Sequence, residues 1–223
     1  MKSSKKIALT IFCLSGVAFT SFGQGGMTDN QNRPLLTKSY VDVNGSPYFN
    51  DNFVKGSVKL SDGKKYDNVY LQLDEVKSTL LFKDTKDTKE AMEYSLPVSE
   101  FNLNLENGTV ANFKKVASDE KNTGFYQVIY DGKFSLLKRT RKSVVTKATY
   151  GTANVEKNIN AVTVFMVVSP DQKFTPVKAD KKAFLQYFGS KSGDMETFIS
   201  KEQIDFKKDA DLVKLFAYFN SLS

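Results

Sequence analysis

The segment Gly124–Lys142 reads GFYQVIYDGKFSLLKRTRK and has the grammar of a β-hairpin. Phe125–Tyr130 is aromatic and β-branched, a composition that suits a pleated, packed surface. Asp131-Gly132 accepts positive φ at both central positions, as a type I′ turn requires. Lys133–Arg139 is then the return strand. Such a turn would set Tyr130 opposite Lys133, Ile129 opposite Phe134 and Tyr126 opposite Leu137. Apolar residues fall on both faces of the pair, which predicts a central place in a sheet.

The same pattern continues toward the N-terminus. Phe53–Leu60 and Tyr66–Leu73 read as strands joined at Asp62-Gly63, with Val69, Leu71 and Leu73 on one face. Asp74–Ser78 reads as a turn, Thr79–Lys83 as a short strand, and Asp84–Lys89 as a charged loop tip. Ala91–Leu96 returns and Pro97 ends it. Phe101–Leu105 alternates Asn outward with apolar residues inward. Asn107-Gly108 reads as another I′-type turn, leading into Thr109–Val116. In the other direction, Ser143–Asn160 is less regular, and Tyr150-Gly151 with Thr152–Asn160 predicts a loop. Val162–Val168, VTVFMVV, is short and β-branched, which predicts a buried strand. Ser169–Gln172 turns and Lys173–Val177 pairs back.

The apolar period then lengthens from 2 to 3.6 residues. Asp180 is placed to cap Lys181–Phe188, with Gly189 as its stop. Asp194 is placed to cap Met195–Lys201, and Asp209 to cap Ala210–Leu222. In that last helix Leu212, Leu215, Phe216, Phe219 and Leu222 make one stripe, which predicts docking on a sheet. The expected fold class is therefore α+β, mainly β. Residues 41–178 form an antiparallel β-meander, curled or barrel-like, and residues 179–223 form C-terminal helices packed on it in the same core.

The N-terminus has a separate role. Lys2, Lys5 and Lys6 precede an apolar run, Ile7–Phe22, and Ser21 and Gly23 are small residues at the −3 and −1 positions of a cut before Gln24. Met1–Gly23 is the pattern of a secretory signal peptide, the alternative being an uncleaved anchor. Phe12 before Cys13, in mid-run, argues against a lipoprotein. Gln24–Tyr40 reads as a flexible leader, rich in Gly, Asn and Gln. Cleavage would remove the only cysteine, so stability in an oxidising compartment would rest on packing. Cleavage would also leave 29 basic residues against 25 acidic ones, mostly dispersed lysines. That balance, with no arginine–aromatic cluster, gives no support to nucleic-acid binding. No membrane span is expected after cleavage.

Gly45-Ser46-Pro47-Tyr48, Phe53-Val54-Lys55-Gly56 and Asp62-Gly63-Lys64 resemble the start of an uncharacterised group of secreted and envelope proteins of Bacteroidota-type bacteria. Phe125-Tyr126-Gln127-Val128 with Asp131-Gly132-Lys133, and Leu136-Leu137-Lys138, resemble its middle. Lys181–Phe188 and Asp211–Ser221, DLVKLFAYFNS, resemble its helical end, and the cut before Gln is similar too. The resemblance spans most of Gly45–Ser223. It rests on turn and core residues, so it implies a fold and an exported location, and it carries over no catalytic residue.

The chain has no histidine, which removes the usual general base and the commonest zinc ligand. Without a cysteine in the exported form there is no thiol nucleophile. No GxSxG, P-loop or dinucleotide fingerprint is present. No catalytic residue, cofactor or metal is therefore assigned. Asp51, Asp62, Asp67, Asp74 and Glu75 supply acids, mostly where turns favour Asp. Asp84, Asp87 and Glu90 lack the Gly and terminal Glu of a calcium loop. Lys138, Arg139, Arg141 and Lys142 form the one dense basic run. On a strand Lys138, Thr140 and Lys142 face one way, and Arg139 and Arg141 the other. The run reads as a charged strand end that protects an edge, or as an anion-binding site for a lipid headgroup or acidic glycan. The reading is an exported, non-enzymatic binding or accessory protein of the periplasm or envelope, its partner an envelope protein, a lipid or a glycan. The alternatives are an apolar-ligand carrier built on a closed barrel, or a carboxylate-based hydrolase.

Overall fold

The computed structural model describes residues 40–88, 90–117, 119, 121–148 and 155–222. The expected signal peptide, and the leader up to residue 39, lie outside them. One sheet holds β1 (Val43–Asn44), β2 (Val54–Leu60), β3 (Lys65–Asp74), β4 (Thr79–Lys83), β5 (Met92–Glu93), β6 (Val98–Asn104), β7 (Val110–Val116), β8 (Gly124–Tyr130), β9 (Ser135–Ala148), β10 (Val155–Val168) and β11 (Phe174–Val177). Helices α1 (Lys181–Phe188), α2 (Ser192–Lys201) and α3 (Asp209–Ser221) follow, with a 3₁₀ turn at Gly189–Lys191.

The chain is α+β and mainly β, with one C-terminal helical segment. The order across the sheet is β1-β10-β9-β8-β7-β6-β2-β3-β4-β5, and β11 also pairs with β10. β8 is central, flanked by β7 and β9. β2 bonds to both β3 and β6, so β3–β5 extend the sheet beyond β2 before the chain returns to β6. β1 runs parallel to β10, which makes the sheet mixed rather than a pure antiparallel meander. The sheet is not closed into a barrel. Its curl has a local cause in β2, whose register shifts against β3 after Gly56 and against β6 after Lys59. A Cβ on Gly56 would lie 2.0 Å from the Asn102 carbonyl oxygen, so only glycine lets the strands approach there.

The concave face holds two cores side by side. Under β2, β3, β6, β7 and β8 lie Val58, Leu71, Leu103, Phe113 and Phe125. Phe101 stacks on Phe113 at 4.6 Å and meets Phe125 edge-on at 5.1 Å. Farther along the same face Leu136, Phe165 and Val167 are covered by Phe184, Leu212, Leu215 and Phe216 of the helices. The expected stripe of the last helix is therefore its buried face. Asp180 caps α1 through the Ala183 N–H at 2.8 Å, and Gly189 ends it at φ 56°. Asp194 and Asp209 are first-turn residues rather than caps. Carboxylates there still oppose the positive end of the helix dipole.

The central hairpin differs from its sequence reading. Tyr130 pairs with Leu136, Val128 with Leu137 and Gln127 with Lys138, with a bulge at Ile129. The connection is longer than two residues, the return strand begins at Ser135, and Gly132 is not at positive φ. The reason is tertiary. Asn220 of α3 accepts from the Phe134 N–H at 2.8 Å and donates to the Phe134 carbonyl at 3.0 Å. This turns Phe134 onto Phe219, ring centroids 4.9 Å apart. A side chain distant in sequence supplies the bonds that a I′ turn would have made locally.

The other Gly-bearing turns are not of type I′ either. Gly63 and Gly108 are at φ 86° and 80°, but Asp62 and Asn107 are not at positive φ. Leu60 receives the Gly63 N–H at 3.0 Å and donates to Lys64 at 2.9 Å; Leu105, Gly108 and Thr109 repeat this at 2.9 and 2.8 Å. This is a type I turn followed by a left-handed residue in a bulge. Ser169–Lys173 has the same bonds, yet its left-handed residue is Gln172, at φ 59°. That conformation costs a non-glycine residue about 1 kcal/mol. Gln172→Gly is expected to raise stability by about 0.5–1 kcal/mol, the gain being reduced by glycine's freer unfolded chain. An increased urea midpoint checks it, and a decrease would show that the Gln172 side chain holds the turn.

The largest correction concerns Ser143–Asn160, expected to be irregular, with a loop at Tyr150-Gly151 and Thr152–Asn160. Ser143–Ala148 and Val155–Asn160 belong to β9 and β10, two 14-residue strands in unbroken register from Ser135↔Val168 to Ala148↔Val155. Tyr150-Gly151 lies outside the described residues. No described residue in the outer part is fully buried: Ser143–Lys147 are exposed and Val155–Thr163 are exposed or half-buried, so no apolar–polar alternation marks it in the sequence.

Candidate functional site

β8 pairs with β9 only as far as Gln127↔Lys138, and β9 continues alone on that side. The β3–β4 turn, Glu75–Ser78, enters the resulting gap. It is shaped by Asp74, whose buried carboxylate accepts the N–H groups of Val76 and Lys77 at 2.9 and 2.8 Å and the Tyr40 hydroxyl at 2.7 Å. Tyr40, at the end of the expected leader, is thus tied to the sheet. Burial, then the Asp74 carboxylate, push its phenol far above the ordinary value.

The turn meets β9 through Glu75. Its carbonyl accepts the Lys142 N–H at 3.3 Å, and its N–H donates to Pro47 at 3.0 Å. Its carboxylate lies 2.9 Å from the Lys142 ammonium, which also donates to the Tyr48 carbonyl at 2.5 Å. Glu75 is buried, and burial raises its pKa above 4.5, opposed by Lys142, Lys138 and Arg139 in that order. The joint binds the curl of the sheet to β9 through one backbone bond and one buried ion pair.

The four basic residues of the expected anion site lie on the two faces that strand alternation assigns them. On the concave face Lys138 pairs with Asp209 at 2.7 Å and Lys142 with Glu75. On the other side Arg139 donates to the Thr123 carbonyl at 2.6 Å and the Ser78 hydroxyl at 2.7 Å, and lies over the Tyr126 ring. Arg141 makes a longer bond, 3.4 Å, to the Lys121 carbonyl. The structure places the four on one strand but not in one cluster. Their partners, Glu75 and Asp209, were not visible in sequence reasoning because they come from a distant turn and a distant helix.

A cavity of about 60 Å³ lies at the joint, lined among others by Glu75, Ser78, Gln127, Lys138 and Thr140. It has room for water-sized molecules, whereas a drug-sized ligand occupies roughly 300 Å³ or more. Asp74, the neighbouring acid, is turned to Tyr40 and its own turn. Asp84, Asp87 and Glu90 are not brought together either: no group of three or more acidic, His or Cys residues that could hold a metal occurs among the described residues.

Beyond the joint, β9 and β10 leave the body of the sheet as a two-stranded ribbon. β9 residues Ser143–Lys147 are all exposed. Val144, Val145, Val155 and Val162 are 36%, 39%, 55% and 48% exposed. β1 covers β10 only at Lys157 and Asn158. The Lys142 N–H points away from β10, to Glu75, so period two sends those of Val144 and Thr146 to the same edge. Neither has a hydrogen-bond partner on that edge among the described residues. This ribbon is the feature that sequence reasoning missed.

No helix among the described residues is long and apolar enough to cross a membrane. What the geometry defines is a curled mixed β-sheet with a helical layer and a projecting β-ribbon. No protein-family model, curated protein or solved structure matches the chain.

Proposed function

We propose that the chain is an exported, non-enzymatic binding or accessory protein of the bacterial periplasm or cell envelope, and that the β9–β10 ribbon is its contact surface. One observation carries the contact surface. A ribbon bearing four exposed valines and a strand edge that has no partner among the described residues is what a protein hides unless it binds something. Export rests on the Met1–Gly23 pattern, and the resemblance to secreted Bacteroidota-type proteins agrees with it.

Export is tested by producing the full chain with its own N-terminus in a bacterial host and weighing the exported product. A chain beginning at Gln24 is expected outside the cytoplasm; an exported chain retaining Met1–Gly23 would overturn cleavage, and full-length chain confined to the cytoplasm would overturn export. Contact is tested by co-sedimentation with envelope fragments. Val145→Asp with Val162→Asp, both at exposed positions, should release the protein at an unchanged urea midpoint. Equal retention of variant and parent would overturn the ribbon as the contact surface.

A further inference from the structure

We infer that the bare edge of β9, from Ser143 to Lys147, takes up an acidic β-strand of a partner protein, extending the sheet by one strand. The inference rests on the ribbon being the contact surface proposed above.

The backbone argument comes first. Val144 and Thr146 present N–H and C=O groups on one edge, and the β9–β10 ladder behind them is regular, so an incoming strand meets a preformed template. Ser143-Val144-Val145-Thr146 is rich in β-branched residues that already hold extended geometry. On the body side the edge is closed by Glu75 at Lys142, which fixes where added pairing can begin.

Charge then selects the partner. The projecting half of the ribbon carries Arg141, Lys147 and Lys157 against one anion, Glu156, while Lys142 is neutralised by Glu75. Arg141, Val145 and Lys147 share a face of β9. A strand with an apolar residue near Val145 and carboxylates near Arg141 and Lys147 would pair favourably across that face. A second copy of this chain is disfavoured by the same charges. Antiparallel self-pairing centred on Val145 would bring two sets of Arg141 and Lys147 to one edge, with Glu156 as the one acid that the described part of each ribbon carries.

The test uses the full exported chain and a nine-residue capped peptide alternating Glu with Val or Thr. Isotope-labelled protein should show peptide-dependent shifts centred on Val144 and Thr146, with slowed amide exchange at both. Binding should weaken at least about fivefold on raising salt to about 0.15 M. It should be lost when alternate peptide N–H groups are methylated, and when Glu is replaced by Lys. Thr146→Pro removes an edge donor without touching the β9–β10 ladder, because that N–H faces away from β10. Its urea midpoint should stay near the parent's while peptide binding falls at least tenfold. Binding that survives both Thr146→Pro and N-methylation would overturn strand addition. Association with anionic vesicles but not the peptide, or self-association alone, would also overturn it while leaving the ribbon as the contact surface. Failure to bind peptide, vesicles or itself would overturn it, and if the ribbon variants also stayed with envelope fragments, the reading beneath it falls too.

Discussion

Phe216→Ala is expected to destabilise the protein by about 3–5 kcal/mol, the range for emptying a buried phenylalanine site. Phe216 is fully buried at the centre of the helical layer. Its ring lies 6.0 Å from Phe184, 6.1 Å from Phe188 and 6.3 Å from Tyr130, so it touches α1 and β8 at once. The surrounding rings are held by their own contacts, as Phe188 is by Phe219 at 4.5 Å, and so can close little of the space left behind. The cost should appear as a lower urea midpoint, with near-ultraviolet signal and helix content lost together. A cost under about 1 kcal/mol would mean that the layer repacks freely. Helix loss at a lower denaturant concentration than sheet loss would mean that the two cores of the concave face unfold separately.

What was legible in the sequence divides along one physical line. Segments with one wet and one dry face announce themselves. Phe101 and Leu103 of the alternating stretch are buried, Lys181–Phe188 falls where its periodicity puts it, and the stripe of α3 is buried as its spacing implies. The turn at Asp74–Ser78 was legible because Asp side chains bond the backbone just ahead of them. Two things were not legible. The Asp131-Gly132 turn was misread because Asn220, far away in the chain, supplies the bonds. Val155–Asn160, the β10 half of the outer ribbon, reads as a loop because none of its residues is buried, and a strand without a dry face has no alternation. The basic run Lys138–Lys142 was legible as charge and as alternation. Its meaning was not, because the acids that neutralise Lys138 and Lys142 come from α3 and from the β3–β4 turn.

Lys142→Met should have an effect of similar size, and one that depends on pH. The substitution keeps the length of the side chain but leaves the buried Glu75 carboxylate without its nearest cation and the Tyr48 carbonyl without its donor. Removing one partner of a buried pair costs about 3–5 kcal/mol when the remaining charge cannot be relieved. Glu75 can be relieved by taking a proton. Its folded pKa is already above 4.5, with burial outweighing Lys142, so without that cation it must rise further. The folded state then holds a proton that the unfolded chain has released, and stability falls as pH rises from 4.5 toward the raised value. The loss should therefore be small near pH 4.5 and approach its full size by about pH 7. Lys138 and Arg139 also hold the Glu75 pKa down, so they limit the rise without removing it. Adding Glu75→Gln removes the titrating charge. The double variant should recover most of the loss at about pH 7 and show little pH dependence from this joint, with a coupling energy of at least about 1 kcal/mol in the four-way comparison. Urea midpoints of the four proteins at the two pH values decide it. A loss that is the same at both would mean that Lys142 supports the joint through the Tyr48 carbonyl and its own packing rather than through the Glu75 charge.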